Sequence, residues 1–296
     1  MEYAVEAFGL GKKYGNIWAL RNASFKIRSG ELAVLLGPNG AGKTTTVRIL
    51  TTVLKPSKGN ALVLGYDVVR DYRMIRRSIA YLPQEAILDR NLTPYEAVKW
   101  FLVARGLSIR EASSRTVRWL KETDLWGYKD RVGWRLSGGL RRRVLTTMVL
   151  ATESDIIFLD EPTVGLDIES KYAIWRILRE FVGSGHTVIL TTHDMREAEA
   201  LADRVIIMSK GVVVAEGNPI NLISKLPYRY KVIIRGDLDI DASTKYNNII
   251  NLGDRKIAYA PDYNTAKSII ECARDISNIT IERVSLEDVY LYHVSC

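Results

Sequence analysis

Short apolar runs alternate with longer mixed stretches along most of the chain. Leu32-Ala33-Val34-Leu35-Leu36 is continuously apolar, as a strand buried on both faces would be. Asp155-Ile156-Ile157-Phe158-Leu159-Asp160-Glu161 and His186-Thr187-Val188-Ile189-Leu190-Thr191-Thr192-His193 repeat the pattern and end in polar side chains. Residues 3–8 and 19–27 read as strands, the second with partial alternation. Two apolar runs, 205–208 and 212–214, flank Ser209-Lys210-Gly211 and read as a hairpin. Helices are expected over 44–54, 140–152, 170–182 and 195–202. The first of these is closed by Lys55-Pro56-Ser57-Lys58-Gly59. Residues 93–125 change character. Thr93-Pro94-Tyr95-Glu96 offers an N-cap, a proline at the first helical position and a glutamate three residues on. That helix runs through Val98, Phe101, Leu102 and Arg105 to Gly106, and a second is expected over 110–123. Strands alternating with helices predict an α/β fold with a mostly parallel sheet and an antiparallel edge.

Past residue 217 the alternation thins. Strands are expected at 230–235, 256–259 and 279–284, a helix at 264–274, and a polar stretch at 237–248. This reads as a small C-terminal α+β domain over 227–296, after a main domain over 1–226.

Composition agrees with a folded chain. The 296 residues are 47% hydrophobic and 26% charged, enough for one large domain or two ordinary ones. No apolar run approaches the ~20 residues that span a bilayer. The N-terminus has no basic stretch followed by an apolar core, so no signal peptide is expected. Cys272 and Cys296 form no framework pattern and are expected to be reduced thiols. The net charge of +8 is unevenly spread. Residues 227–296 carry nine basic and ten acidic side chains, and the first 226 carry 33 and 24, a net of +9. Polyphosphate, an anionic membrane surface or nucleic acid would suit that excess, and so would a plain solvated surface.

The candidate chemistry sits at the ends of the buried runs. Gly37-Pro38-Asn39-Gly40-Ala41-Gly42-Lys43-Thr44 follows an apolar strand and opens a helix, with Thr45 next. The glycines let backbone N–H groups face phosphates, and the helix N-terminus favours anions. Lys43 is expected to reach the β- and γ-phosphates and Thr44 to ligate Mg²⁺. Asp160 ends its strand where an α/β sheet binds ligands, and is expected to hold Mg²⁺. Glu161 is then placed to polarise a water. His193 ends a neighbouring buried strand and is a candidate γ-phosphate contact, whereas His186 and His293 carry no such expectation. Ser137-Gly138-Gly139 caps a helix bearing Arg141, Arg142 and Arg143. It offers a hydroxyl, free N–H groups and positive charge.

In this order the residues resemble the nucleotide-binding subunit of an ABC transporter, over residues 3–226. Gly37 to Thr44 matches the Walker A loop, and Gln84 in Tyr81-Leu82-Pro83-Gln84 the Q-loop glutamine. Leu136-Ser137-Gly138-Gly139 matches the signature, and Ile156 to Glu161 Walker B with its catalytic glutamate. Val164-Gly165-Leu166-Asp167 matches the D-loop, His193 the switch histidine, and Tyr14 the aromatic that stacks on adenine. Leu140 stands where the family often has glutamine. The Leu-Arg-Arg-Arg run and the tail Ser285-Leu286-Glu287-Asp288-Val289-Tyr290 are similar to the branch of ABC-2-type, drug-resistance exporters.

The resemblance implies a P-loop NTPase core with an antiparallel β part and a helical subdomain over about 85–150. It implies ATP and Mg²⁺ as ligands, with Thr44, Gln84 and Asp160 at the metal and Gln84, Glu161 and His193 catalytic. It further implies a head-to-tail pair of ATPase subunits, separate polytopic membrane subunits, and a place on the inner face of the cell membrane. No nucleic-acid partner is expected. The alternative is a soluble ABC ATPase in an assembly or translation-associated process.

Overall fold

The structure is a computed structural model that describes residues 2–235, 249–251, 255–271 and 279–294. Cys272, Cys296 and the polar stretch 237–248 lie outside the described residues. The chain divides into two compact units, Met1–Asn218 and Pro219–Cys296.

The first unit holds, among the described residues, one sheet in two parts. The parallel part is built from β3 (Leu32–Leu36), β6 (Ile79–Leu82), β7 (Ile156–Asp160), β8 (Thr187–Thr192) and β9 (Arg204–Ser209). The other strands are β1 (Tyr3–Tyr14), β2 (Ile17–Arg28), β4 (Lys58–Val63), β5 (Tyr66–Asp67) and β10 (Val212–Gly217). Strand order is β5-β4-β1-β2-β10-β9-β3-β8-β7-β6. Every residue of β3, β7 and β8 is buried, which is why their sequences carry no polar face. Parallel register pairs Leu36 with Thr192 and Asp160 with Thr191. The C-terminal ends of β3, β8 and β7 therefore lie side by side along one edge, where α/β sheets bind ligands.

The helices of this unit are α1 (Lys43–Leu50), α2 (Tyr72–Ser78), α3 (Pro94–Ala104), α4 (Ile109–Glu122), α5 (Gly138–Leu150), α6 (Ile168–Gly183) and α7 (Met195–Leu201). The cap expected before α3 is present: Thr93 Oγ1 accepts from the Glu96 N–H, and Glu96 accepts from the Thr93 N–H at 2.9 Å. Ser108 and Glu111 repeat this reciprocal cap at α4.

Two expectations need correction. The helix after the phosphate loop ends at Leu50, not residue 54. Thr51 turns the chain and Thr52 is left-handed at φ +63°, so helical bonding stops before the proline is reached. The first strand runs to Tyr14 rather than residue 8. Register shifts between Ala7 and Lys13 break its two-residue alternation, which hid its second half from a period-2 reading.

Among its described residues, the second unit is a four-stranded antiparallel sheet with three helices. Its order is β12 (Ile249–Asn251), β13 (Arg255–Ala260), β11 (Tyr230–Arg235), β14 (Ile279–Arg283). The helices are α8 (Pro219–Ser224), α9 (Tyr263–Glu271) and α10 (Leu286–Val294). Val232 and Ile234 of β11 pack with Ala266 and Ile269 of α9. Lys231, alternating to the other face, is buried and pairs with Asp288 of α10 at 3.0 Å. Tyr259 donates to the same carboxylate at 2.8 Å, and the Ser285 N–H caps it at 2.7 Å. Burial and the bond to Asp288 together hold the Tyr259 phenol far above its usual range.

Candidate functional site

The loop between β3 and α1 brings a free helix start to the sheet edge. Gly42 is the N-cap of α1, and it provides no side-chain cap. The first turn of α1 has no acidic residue. Its leading N–H groups have no partner within the helix and form a ready anion site. Gly42 sits at φ +102°, and a Cβ there would lie 2.8 Å from the Ala19 carbonyl oxygen. Both conformation and space require glycine. Lys43 is buried; its Nζ donates to the Gly37 carbonyl at 2.6 Å and the Pro38 carbonyl at 3.2 Å. Pro38, Asn39 and Gly40 are exposed at the tip of the loop, while Ala41 is buried and Thr45 half-buried.

Carboxylates meet this loop from the end of β7. Asp160 is fully buried and Glu161 nearly so. Thr44 Oγ1 donates to Asp160 Oδ1 at 3.2 Å, and Thr191 Oγ1 donates to the same oxygen at 2.5 Å. Asp160 Oδ2 is buried with no partner in the protein. A buried carboxylate oxygen left free beside a hydroxyl is a hard-cation donor set. Glu161 ion-pairs with Lys43 at 3.4 Å through Oε1 and meets His193 Nδ1 at 3.0 Å through Oε2. With Glu161 Oε2 as acceptor, the proton of this contact belongs to His193 Nδ1, on a half-exposed ring. Glu161 has φ +50°, a conformation that costs of order 1–3 kcal/mol outside glycine. Its N–H donates to Thr191 Oγ1 at 3.0 Å.

Lys43, Thr44, Asp160, Glu161 and His193 are thus one contiguous cluster. Gly37 and Pro38 join it through the Lys43 bonds, whereas Tyr14, Gln84 and Ser137 to Gly139 stand apart from it. Tyr14 is exposed, with Lys12 Nζ 5.6 Å from its ring centre. Gln84 is exposed, and its carbonyl accepts from Arg142 at 3.4 Å. Ser137 and Gly138 are exposed, and Ser137 Oγ accepts from the Leu140 N–H as the N-cap of α5. Gly139 is buried against α6: a Cβ there would lie 2.3 Å from Ser170 Oγ. Asp167 caps α6 and accepts from Ser170 Oγ at 3.0 Å. Among the described residues, neither the Tyr14 ring, the Gln84 side chain nor Ser137 Oγ bonds to the Lys43–Glu161 cluster.

Two further contributors carry no distinct mark in the sequence. Thr191 orders both carboxylate residues, yet its signal is only a polar residue inside an apolar strand. Arg142 donates to the carbonyls of Asp160, Glu161 and Pro162, each at 3.0 Å. In the sequence it is one of three adjacent arginines, and nothing distinguishes it from its neighbours. No helix of the described residues is long and apolar enough to cross a membrane.

Comparison with known proteins agrees with this geometry. Residues 20–164 match the ABC transporter family. The doxorubicin resistance ATP-binding protein DrrA of Mycobacterium tuberculosis is 36% identical, covering 98% of this chain and 93% of the relative. The Nod factor export ATP-binding protein I of Mesorhizobium japonicum is 35% identical, over 97% of this chain and 86% of that one. Among solved structures, the dimeric post-hydrolysis state of the ATP-binding cassette MJ0796, bound to ADP and Pi, superposes with a TM-score of 0.66 at 29% identity. It covers 72% of this chain and 98% of the cassette. The phosphate loop, the buried carboxylates and these likenesses agree, and the chain belongs to the ABC transporter family, as one of its ATP-binding, ATP-hydrolysing subunits.

Proposed function

We propose that this subunit powers export through separate polytopic membrane subunits, working as a head-to-tail pair on the inner face of the cell membrane. The observation that carries the ATPase part is the Lys43–Glu161–His193 chain of contacts beside the uncapped start of α1. The direction of transport rests on the relatives, named for drug resistance and Nod factor export. Those names favour this reading over a soluble ABC ATPase in assembly or translation.

In this reading the Tyr14 ring stacks on adenine. Gly37, Pro38, Asn39, Gly40, Ala41, Gly42, Lys43, Thr44 and Thr45 surround the phosphates, with Lys43 turning from the loop carbonyls to the β- and γ-phosphates. Thr44, Asp160 and Gln84 are the residues for Mg²⁺, and the buried, unpartnered Asp160 Oδ2 supports that fit. When bound, the ion offsets phosphate charge as it builds. Glu161 orients the attacking water, a contribution of about 10²–10⁴ in rate. His193 holds Glu161 through Nδ1 and turns Nε2 towards the γ-phosphate. Ser137, Gly138 and Gly139 serve the ATP of the partner subunit, which explains their separation from the cluster. Residues 219–296 form an accessory domain outside this chemistry.

The test is Glu161→Gln in the full chain. It is expected to bind ATP, lose turnover and accumulate as an ATP-dependent dimer by light scattering. A monomer at saturating ATP and Mg²⁺ overturns the paired arrangement. Lys43→Ala is expected to lose most turnover, and unchanged turnover overturns the site.

A further inference from the structure

Arg142 lies in the second turn of α5, five residues after the Ser137 N-cap. Its side chain leaves that helix and closes over the turn that follows β7. Nη2 donates to the carbonyls of Asp160 and Glu161, and Nε to the carbonyl of Pro162, all at 3.0 Å. Nη1 reaches the Gln84 carbonyl at 3.4 Å. Four carbonyls from two separate segments therefore converge on one guanidinium. Three of them belong to consecutive residues, and the middle one is Glu161 in its left-handed conformation.

Only a planar group with several N–H donors in fixed directions can satisfy such a set, and lysine or glutamine cannot. Burial lowers the guanidinium pKa, and the neighbouring Asp160 and Glu161 charges oppose that shift. Pro162 has no N–H to give this turn, and within it the Glu161 carbonyl also accepts from the Val164 N–H at a long 3.5 Å. Thr191 holds Glu161 from β8 through the N–H, and Arg142 holds it from α5 through the carbonyl. The left-handed turn is clamped from two elements, which is how a costly conformation persists.

We propose that Arg142 is a positioning residue for hydrolysis: it sets the turn that aims Glu161 and ties that turn to the helix bearing Ser137-Gly138-Gly139. The second half rests on the paired reading above, in which the N-terminus of α5 serves the partner's ATP. One guanidinium then makes the place of Glu161 in one site depend on the helix engaged with the other. The Gln84 carbonyl is drawn into the same link.

The contacts touch neither the phosphate loop nor Tyr14, so nucleotide affinity and turnover should separate. In the full chain, Arg142→Ala, Arg142→Gln and Arg142→Lys are compared for kcat, KM and equilibrium binding of a fluorescent ATP analogue. Arg142→Ala is expected to lose about 10²-fold in kcat, the scale of a misplaced catalytic group, with affinity unchanged. Arg142→Lys keeps the charge but not the fork and is expected to lose nearly as much. Millimolar guanidinium chloride is expected to restore part of the Arg142→Ala rate and none of the Arg142→Lys rate. Wild-type turnover in Arg142→Ala overturns the proposal. So does a parallel loss of kcat, affinity and melting temperature without rescue, the pattern of a plain structural staple. A monomeric Glu161→Gln would instead fault the paired reading, and the kcat split and rescue would still decide whether Arg142 positions Glu161.

Discussion

At the scale of single residues, the site depends on close approaches that admit little change. Gly139 is one of these outside the phosphate loop, since any Cβ would meet Ser170 Oγ at 2.3 Å and Ser170 Cβ at 3.0 Å. Gly139→Ala is expected to destabilise the protein by about 1–3 kcal/mol through overpacking. Ser170→Gly in the same chain is expected to recover most of the packing loss, read by denaturant unfolding. If the two changes simply add, the close approach is not what demands glycine there. Lys43, Asp160, Glu161 and His193 were legible in the sequence because each ends or follows an apolar strand or loop with its own signature. Thr191 and Arg142 were not, because their roles come from partners 31 and 19 residues away that no local pattern names.

At the scale of elements, caps and strand ends set where the chemistry lies. Asp194 caps α7, accepting from the N–H groups of Arg196 and Glu197, and pairs with Lys171 of α6. Partial burial pushes its pKa up, but the Lys171 contact and the two N–H bonds outweigh that and hold it below 3.8. Its folded value is depressed, so its stabilising contribution is complete above the ordinary carboxylate value. The contribution fades as pH falls through the lower folded value. Asparagine keeps the cap but not the charge. The stability gap between wild type and Asp194→Asn is therefore expected to be constant near neutrality and to close below pH 3.8. A gap that persists in acid would show that Lys171 contributes nothing through charge. The bulges in β1 and the left-handed Thr52 are backbone choices that hydrophobic periodicity does not encode.

At the scale of the whole molecule, the two units divide at residue 218 rather than at the expected 226. The difference is α8, whose residues pack with α10 in the second unit. A chain ending at Asn218 is expected to bind ATP as tightly as the full chain, measured by equilibrium titration. A lost affinity would mean that the C-terminal unit supports the nucleotide site. The second unit has its own apolar core around Val232 and Ile234 and its own buried Lys231–Asp288 pair. Removing one partner of such a pair typically costs about 3–5 kcal/mol. That dependence makes the motif Ser285-Leu286-Glu287-Asp288 part of the unit's packing.

The α/β class, the phosphate loop, the carboxylate pair at a strand end and the family can all be read along the chain. Each is written in residues adjacent along the chain, where spacing alone constrains the backbone. It takes the folded chain to make Lys43 and His193 share Glu161, to bury one oxygen of Asp160 without a partner, and to bring Arg142 from α5 onto the turn. Those facts depend on which strand ends lie side by side and how far a side chain reaches across them. Parallel pairing brings together residues far apart in the chain, and a single sequence does not record that order.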